Sequence, residues 1–273
     1  MSDARPIGLF DSGVGGLTVL DAVARRLPDE NLLYLGDTAR LPYGTKSPET
    51  VRRYARRAVG LLLSRGVKAV VVACNTATAL ALDAIAEIVD VPLVGVVEPG
   101  ARAALRVLSA LPEADRGAPV AVLATEATVA SDAYGRAIRA LDPRHRVLNV
   151  ACPLFVPLAE EGWTENEVAR AAAARYLAPV ADAGARVVVL GCTHYPLLKR
   201  TIAAALPPRT ILIDSAEATA EALVSLLPPE LRRNGGPGGE THLLVTDSSE
   251  RLRQVAARFL GREAAALELV DLP

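Results

Sequence analysis

Two apolar runs in this chain end in the same way. Val67 to Ala73 runs into Cys74-Asn75-Thr76, and Ala185 to Gly191 runs into Cys192-Thr193-His194. Each run has the length and composition of a buried strand, so each thiol stands where a strand stops. In an open α/β sheet, ligands bind in the crevice at the carboxyl ends of the strands. Two such thiols facing one crevice would set an acid and a base on opposite sides of a substrate, an arrangement suited to moving a proton at a carbon centre.

The rest of the chain supports that architecture. Ile7 to Phe10 reads as a strand, followed by the turn Asp11-Ser12-Gly13-Val14-Gly15-Gly16 and an amphipathic helix ending before Pro28. Leu32 to Leu35 and Ala69 to Ala73 supply further strands, with a charged helix over Glu49 to Arg65 between them. The pattern then restarts with strands at Val120 to Leu123, Arg146 to Val150 and Val187 to Leu190, and a helix from about Ser131. Asp11 to Cys74 and Thr125 to Cys192 are nearly equal separations, with Asp37 and Cys152 falling between them at comparable offsets. This spacing predicts a diverged internal repeat: an α/β protein of two pseudo-symmetric, doubly wound domains, their mainly parallel sheets facing each other across a central cleft. Regular βα spacing alone could mimic such a repeat, but the shared strand-Cys-polar-polar ending favours it. After Pro207 come a strand at Thr210 to Ile213, a helix to Leu227, a glycine-rich loop over Arg232 to Gly239 expected to be mobile, a strand at His242 to Val245 and a helix near Glu250 to Leu260. This tail is expected to complete the first domain, giving residues 1–97 plus 209–273 as one domain and 98–208 as the other.

Composition narrows the partners. With 273 residues, 51% of them hydrophobic, the chain can bury a sizeable core, and a net charge of −1 with basic and acidic residues interspersed argues against a nucleic-acid surface. No apolar stretch approaches a membrane span, and the first residues lack a signal peptide's apolar core, so a cytoplasmic protein acting on a small molecule is expected. Three cysteines in such a compartment are an unpromising disulfide framework.

The glycine-rich turn is not a dinucleotide fingerprint, because Thr18 stands where the third glycine belongs. A turn of this kind can still present backbone N–H groups to an anion such as a substrate carboxylate, and Asp11 or Ser12 can equally cap the helix that follows. Cys74 is flanked by polar Asn75 and Thr76 and is within reach of an orienting Asp11, while Cys192 has His194 two positions on. A metal reading of Cys-x-His fails, because no second pair completes a zinc site. Cys152 lies in an apolar segment and reads as structural. Leu41 to Thr45 reads as a turn over the strand ends, and Glu160 and Glu161 are distinguishable only by proximity to the site.

Asp11-Ser12-Gly13-Val14-Gly15-Gly16-Leu17, Pro42-Tyr43-Gly44-Thr45-Lys46, Ala73-Cys74-Asn75-Thr76-Ala77 and Gly191-Cys192-Thr193-His194-Tyr195-Pro196 together resemble the glutamate racemase family, and the resemblance runs nearly end to end through Val97 to Gly100, Ala124 to Val129, Cys152 to Leu158 and Asp214 to Ala216. It implies cofactor-independent interconversion of L- and D-glutamate, the D form serving peptidoglycan synthesis, in an enzyme that is often a homodimer and binds neither nucleic acid nor membrane. It further implies that Cys74 and Cys192 are the proton donor-acceptors, that Asp11 assists Cys74, and that His194 and Glu160 assist Cys192. Asp11, Ser12, Pro42, Tyr43, Gly44, Asn75, Thr76, Thr193 and His194 would hold the substrate, with Thr125 and Thr128 on its carboxylates. Two other readings stay open: an aspartate racemase of related architecture, and an amino-acid-binding protein without turnover, in which the paired thiols would be superfluous.

Overall fold

A computed structural model describes residues 3–233, 238–263 and 266–272. Its ten described strands are β1 (Ile7–Asp11), β2 (Leu32–Gly36), β3 (Ala69–Val72), β4 (Leu93–Gly95), β5 (Val120–Ala124), β6 (Val147–Ala151), β7 (Val187–Gly191), β8 (Ile211–Asp214), β9 (Thr241–Val245) and β10 (Leu267–Leu269). They form two sheets, one in the order β10-β9-β2-β1-β3-β4 and the other β6-β5-β7-β8, and every described pairing is parallel. The order β2-β1-β3-β4 recurs as β6-β5-β7-β8, so the repeat anticipated from spacing exists as a repeated topology. Its four-strand length was not anticipated, since β4 has only three residues and β8, although read as a strand, was expected in the first domain.

Both faces of each sheet are covered, which is why these strands are near-continuous apolar runs. Alternation along each strand divides the core. Ile7, Leu9, Leu32, Tyr34 and Val71 face one layer of helices, whereas Phe10, Leu33, Leu35, Val70 and Val72 face the other. The second sheet repeats this with Ala121, Leu123, Val188 and Leu190 against Val120, Val122, Val187 and Val189. The helices start where the sequence supplies caps: Ser47 accepts from Thr50 N before Pro48–Ser64, Asn166 from Ala169 N before Glu167–Asp182, and Ser249 from Leu252 N before Glu250–Leu260. The helix expected from about Ser131 is Ala133–Leu141, and a short helix not expected, Glu126–Ser131, precedes it; the two are separated at Asp132, whose φ of 51° is left-handed and whose Oδ1 accepts from Asn149 Nδ2.

The expected boundary at residue 209 would give β8 to the first domain. Strand β8 pairs with β7, in the second sheet, because its register against Val187–Leu190 continues that sheet's edge. The chain goes back only with the helix Ser215–Leu226, which straddles both cores: Ala216, Ala220 and Leu223 pack under the first sheet and Ala218 under the second. Of the glycine-rich loop, residues 234–237 lie outside the described residues. Its flanks are tied down, with Arg233 N donating to Glu30 Oε1 and Gly239 N to Pro28 O. Glu30 in turn forms a buried ion pair with Lys68, whose Nζ also donates to Asp3 O at 2.6 Å. Among the described residues no helix is long and apolar enough to cross a membrane.

The 12–16 turn is seated by glycine at close range. A Cβ on Gly36 would stand 2.2 Å from Gly13 O, a backbone atom that also accepts from Tyr34 Oη at 2.8 Å. Gly36→Ala is therefore expected to cost about 1–3 kcal/mol by overpacking. That is a fall of several degrees in thermal midpoint, and an unchanged midpoint would mean that the turn moves aside freely.

Candidate active site

The strands of each sheet run parallel, and segments that follow β1, β2, β3, β5, β6 and β7 converge on one cavity. Cys74 follows β3 and Cys192 follows β7, the equivalent strand of the second sheet, and both line one cavity of about 240 Å³. The expected Ser12, Pro42, Tyr43, Gly44, Asn75, Thr76, Thr125, Thr193 and His194 share its wall. Neither sulfur is sealed in a separate interior, although each is only 5–6% exposed.

The two thiols have unlike surroundings. Cys74 is the N-cap of the helix Asn75–Ala86: its Sγ accepts from Ala77 N at 3.4 Å and donates to Ser12 Oγ at 3.4 Å. Burial pushes the Cys74 thiol up to about 12, the negative charge of Asp11 adds to the rise, and the Ser12 and Ala77 contacts oppose it. Cys192 instead has His194 Nδ1 at 3.9 Å, and Nε2 of that imidazole meets Glu160 Oε1 at 3.1 Å. Burial alone pulls the imidazolium down, but the sulfur and carboxylate against it outweigh this, so His194 is pushed up to about 10. The rings of His194 and Phe259 pack in a T-shaped arrangement, at a centroid separation of 4.9 Å. Glu160 and Glu161 are told apart here, because Glu161 turns outward to pair with Arg251.

Three expected residues do not line the cavity. Glu160 stands behind His194. Thr128 is held back in a triangle of hydroxyls: Thr76 and Thr125 are 3.0 Å apart, and Thr128 lies 3.2 Å from Thr76 and 3.0 Å from Thr125. Thr128, expected on a substrate carboxylate, here meets two residues that line the wall. Asp11 is likewise not a wall residue. Its Oδ2 accepts from Gly13 N at 2.8 Å, and the backbone amides of Ser12 and Gly16 also favour its charge, against a burial that raises its pKa. The glycine-rich turn therefore presents N–H groups to the carboxyl group of the chain's own Asp11. Neither Asp11 nor Ser12 caps the following helix by a side-chain bond.

Gly15 has a different reason. A Cβ there would lie 2.3 Å from Thr193 Oγ1 and 2.6 Å from His194, so the first domain touches the second right beside the site. Tyr43 is fixed by Asp37, whose Oδ2 accepts from the phenol at 2.7 Å while Oδ1 accepts from Arg40 and Thr246. Burial, reinforced by Asp37, drives the Tyr43 phenol far above its ordinary pKa.

Sequence reasoning missed Glu126, Pro153, Val156 and Pro157, all on the cavity wall, and did not assign Thr45, which is there too. The strand-end logic that located the cysteines would have found Pro153 and its neighbours after β6, but their apolar character suggested core. Cys152 itself is fully buried, and its carbonyl accepts from Tyr195 Oη at 2.8 Å. Among the described residues no group of three or more His, Cys, Asp or Glu side chains is placed to hold a metal ion.

The sequence pattern of the Asp/Glu/hydantoin racemase family matches residues 12–223. The chain is 48% identical to the glutamate racemase of Geobacter metallireducens, over 98% of this chain and 97% of that protein. Its structure is similar to that of a glutamate racemase isoform from Bacillus anthracis, with a TM-score of 0.91 and 35% identity over 98% of each chain. It is also similar to the glutamate racemase of Francisella tularensis solved in complex with D-glutamate, with a TM-score of 0.90 and 37% identity over 99% and 98% of the two chains. A full-length match of this kind, laid over a cleft with one thiol from each half, leaves one assignment: the chain belongs to the Asp/Glu/hydantoin racemase family, among the glutamate racemases, and is a racemase enzyme.

Proposed function

We propose that the protein interconverts L- and D-glutamate without a cofactor, by Cα proton transfer between Cys74 and Cys192. The observation that carries this reading is the shared cavity, with one thiol contributed by each half of a repeated topology. The relative that was solved with D-glutamate bound supports the choice of substrate.

Removing the Cα proton of an amino acid creates a strongly basic carbanion, and no pyridoxal ring is invoked to absorb it. Stabilisation must then come from fixed dipoles aimed at the α-carboxylate as it gains enolate character. Asn75, Thr76, Thr125 and Thr193 supply donors on the cavity wall, and a substrate filling the cavity would displace the water that competes with them. One sulfur must begin as thiolate and the other as thiol. The buried Cys74, beside Asp11, is held as the thiol. An imidazolium at His194, steadied by Glu160, is the counter-ion that a Cys192 thiolate needs. In one direction the Cys192 sulfur takes the Cα proton and the Cys74 thiol delivers its own to the opposite face, and the reverse direction exchanges the roles. The D-glutamate so formed would serve peptidoglycan synthesis, and hence cell-wall growth and cell shape, from the cytoplasm; the homodimeric state implied by the resemblance belongs to the same reading.

Cys74→Ala and Cys192→Ala are each expected to lower racemisation by at least about 10²–10⁴-fold, the usual contribution of a positioned acid or base, while leaving the fold intact. Polarimetry with L-glutamate, D-glutamate and L-aspartate reads this directly. Turnover of aspartate alone would make the enzyme an aspartate racemase, and turnover of nothing would leave a binding protein. In deuterated water each inverted product should carry deuterium at Cα, and unlabelled product would reject exchange through the two sulfurs.

The charged state of His194 has a thermodynamic signature. Its pKa of about 10 in the folded protein lies above the 6.5 of a free imidazole, so the native state binds this proton more tightly than the unfolded chain does. The stabilisation is fully present below about pH 6.5 and disappears as pH rises through about 10. His194→Gln should accordingly show a shallower loss of thermal midpoint over that interval than the wild type. Parallel curves would mean that His194 is not held as the cation.

A further inference from the structure

Tyr134 has no part in the scheme above, yet it is a fully buried phenol, hydrogen-bonded to Asn75 and lying beside the Ser215 hydroxyl. It sits in the helix Ala133–Leu141, is 1% exposed, and donates its hydroxyl to Asn75 Oδ1 at 2.7 Å. The bond crosses from the second domain to the first. Asn75 itself is 2% exposed and belongs to the cavity wall, and its Nδ2 has no acceptor among the described residues.

A side-chain amide carries acceptor and donor at opposite ends of nearly the same shape, so packing alone does not decide which end serves a ligand. A hydrogen-bonded neighbour does. Buried Tyr134 has a single proton to place; the neighbouring Ser215 hydroxyl donates to Leu190 O at 3.2 Å, and the short hydrogen bond of the phenol, at 2.7 Å, is to the amide oxygen. With Oδ1 taken, the two N–H donors are left free of protein partners beside a cavity that would receive carboxylates. The reversed amide would set oxygen lone pairs against the same anion.

The slot for the phenol is built by glycine. A Cβ on Gly100 would come within 3.2 Å of Tyr134 Cε1, and one on Gly191 within 3.1 Å of Cε2. Gly100 lies inside the helix Val97–Ser109, where glycine is otherwise unfavourable, and Gly191 immediately precedes Cys192. The ring is thereby wedged between that helix and the strand that delivers the second thiol.

We propose that Tyr134 is a positioning residue, which fixes the Asn75 amide so that its NH2 group is presented to a carboxylate of the substrate. The inference rests on glutamate being that substrate, and two measurements separate the two claims. In Tyr134→Phe only the hydroxyl is lost, and KM for glutamate is expected to rise about tenfold, the usual scale for one hydrogen bond to a charged group, with a much smaller change in kcat. In an Asn75→Ala background the same substitution should change KM no further, because its effect passes through the amide. A Tyr134→Phe enzyme with a lowered thermal midpoint and an unchanged KM, or a KM rise that persists without Asn75, would overturn the assignment. Wild-type protein that does not turn over glutamate would instead reject the substrate. A second readout needs no substrate: the Asn75 side-chain amide resonances, identified by their absence in Asn75→Ala, should shift in Tyr134→Phe, and unmoved resonances would overturn the positioning role.

Discussion

Parallel pairing is the constraint from which the rest follows. In a sheet whose strands all run one way, every carboxyl end lies on a single edge, and the chain must leave that edge through a loop or a helix start. Here two such sheets turn those edges toward one cleft. Much of the cavity wall therefore comes from segments that follow strands: Ser12 just after β1, Tyr43 in the loop beyond β2, Cys74 after β3, Thr125 after β5, Pro153 after β6 and Cys192 after β7. Several of them also do structural work. Cys74 and Thr125 each cap the helix they begin, so the side chain that meets the ligand is braced by a backbone N–H.

Bringing two domains this close creates a problem of buried polarity, and the site solves it internally. Burial disfavours the charge of Asp11, and the field of His194 and the amides of its own turn oppose that penalty in part, while Cys192 and Glu160 favour the charged form of His194. The hydroxyls of Thr76, Thr125 and Thr128 satisfy one another across the cleft. Where side chains would collide, glycine removes them, most acutely at Gly15 against Thr193 and His194. An arrangement in which most polar groups are already paired is rigid, which is what a fixed set of catalytic dipoles requires.

Much of this was legible in the sequence because a strand followed by an unusual polar residue is a local signal. Long runs such as Val70 to Val72 declared their burial, and Cys74 and Cys192 stood out at their ends. What lay outside its reach was non-local. The membership of β8 in the second sheet depends on pairing with β7, and nothing within Ile211 to Asp214 encodes that partner. That Asp11 faces backbone amides, that Thr128 stands one layer back, and that Glu160 and not Glu161 meets His194 are facts of side-chain direction settled by packing. The apolar Pro153, Val156 and Pro157 were hidden for the opposite reason, since a hydrophobic cavity wall and a hydrophobic core are written in the same residues.

The unlikeness of the two sulfur environments has a last consequence. One thiol is sheltered beside a carboxylate and the other is paired with an imidazole, so the forms of the enzyme that accept each hand of glutamate differ in free energy. Such lopsidedness can make saturation and maximal velocity differ between the two directions. It has no purchase on where the reaction comes to rest, because mirror-image molecules in achiral water are isoenergetic. The specificity constants for the two hands must stay equal, and any lasting enantiomeric excess in the surrounding pool has to be drawn by whatever consumes one form.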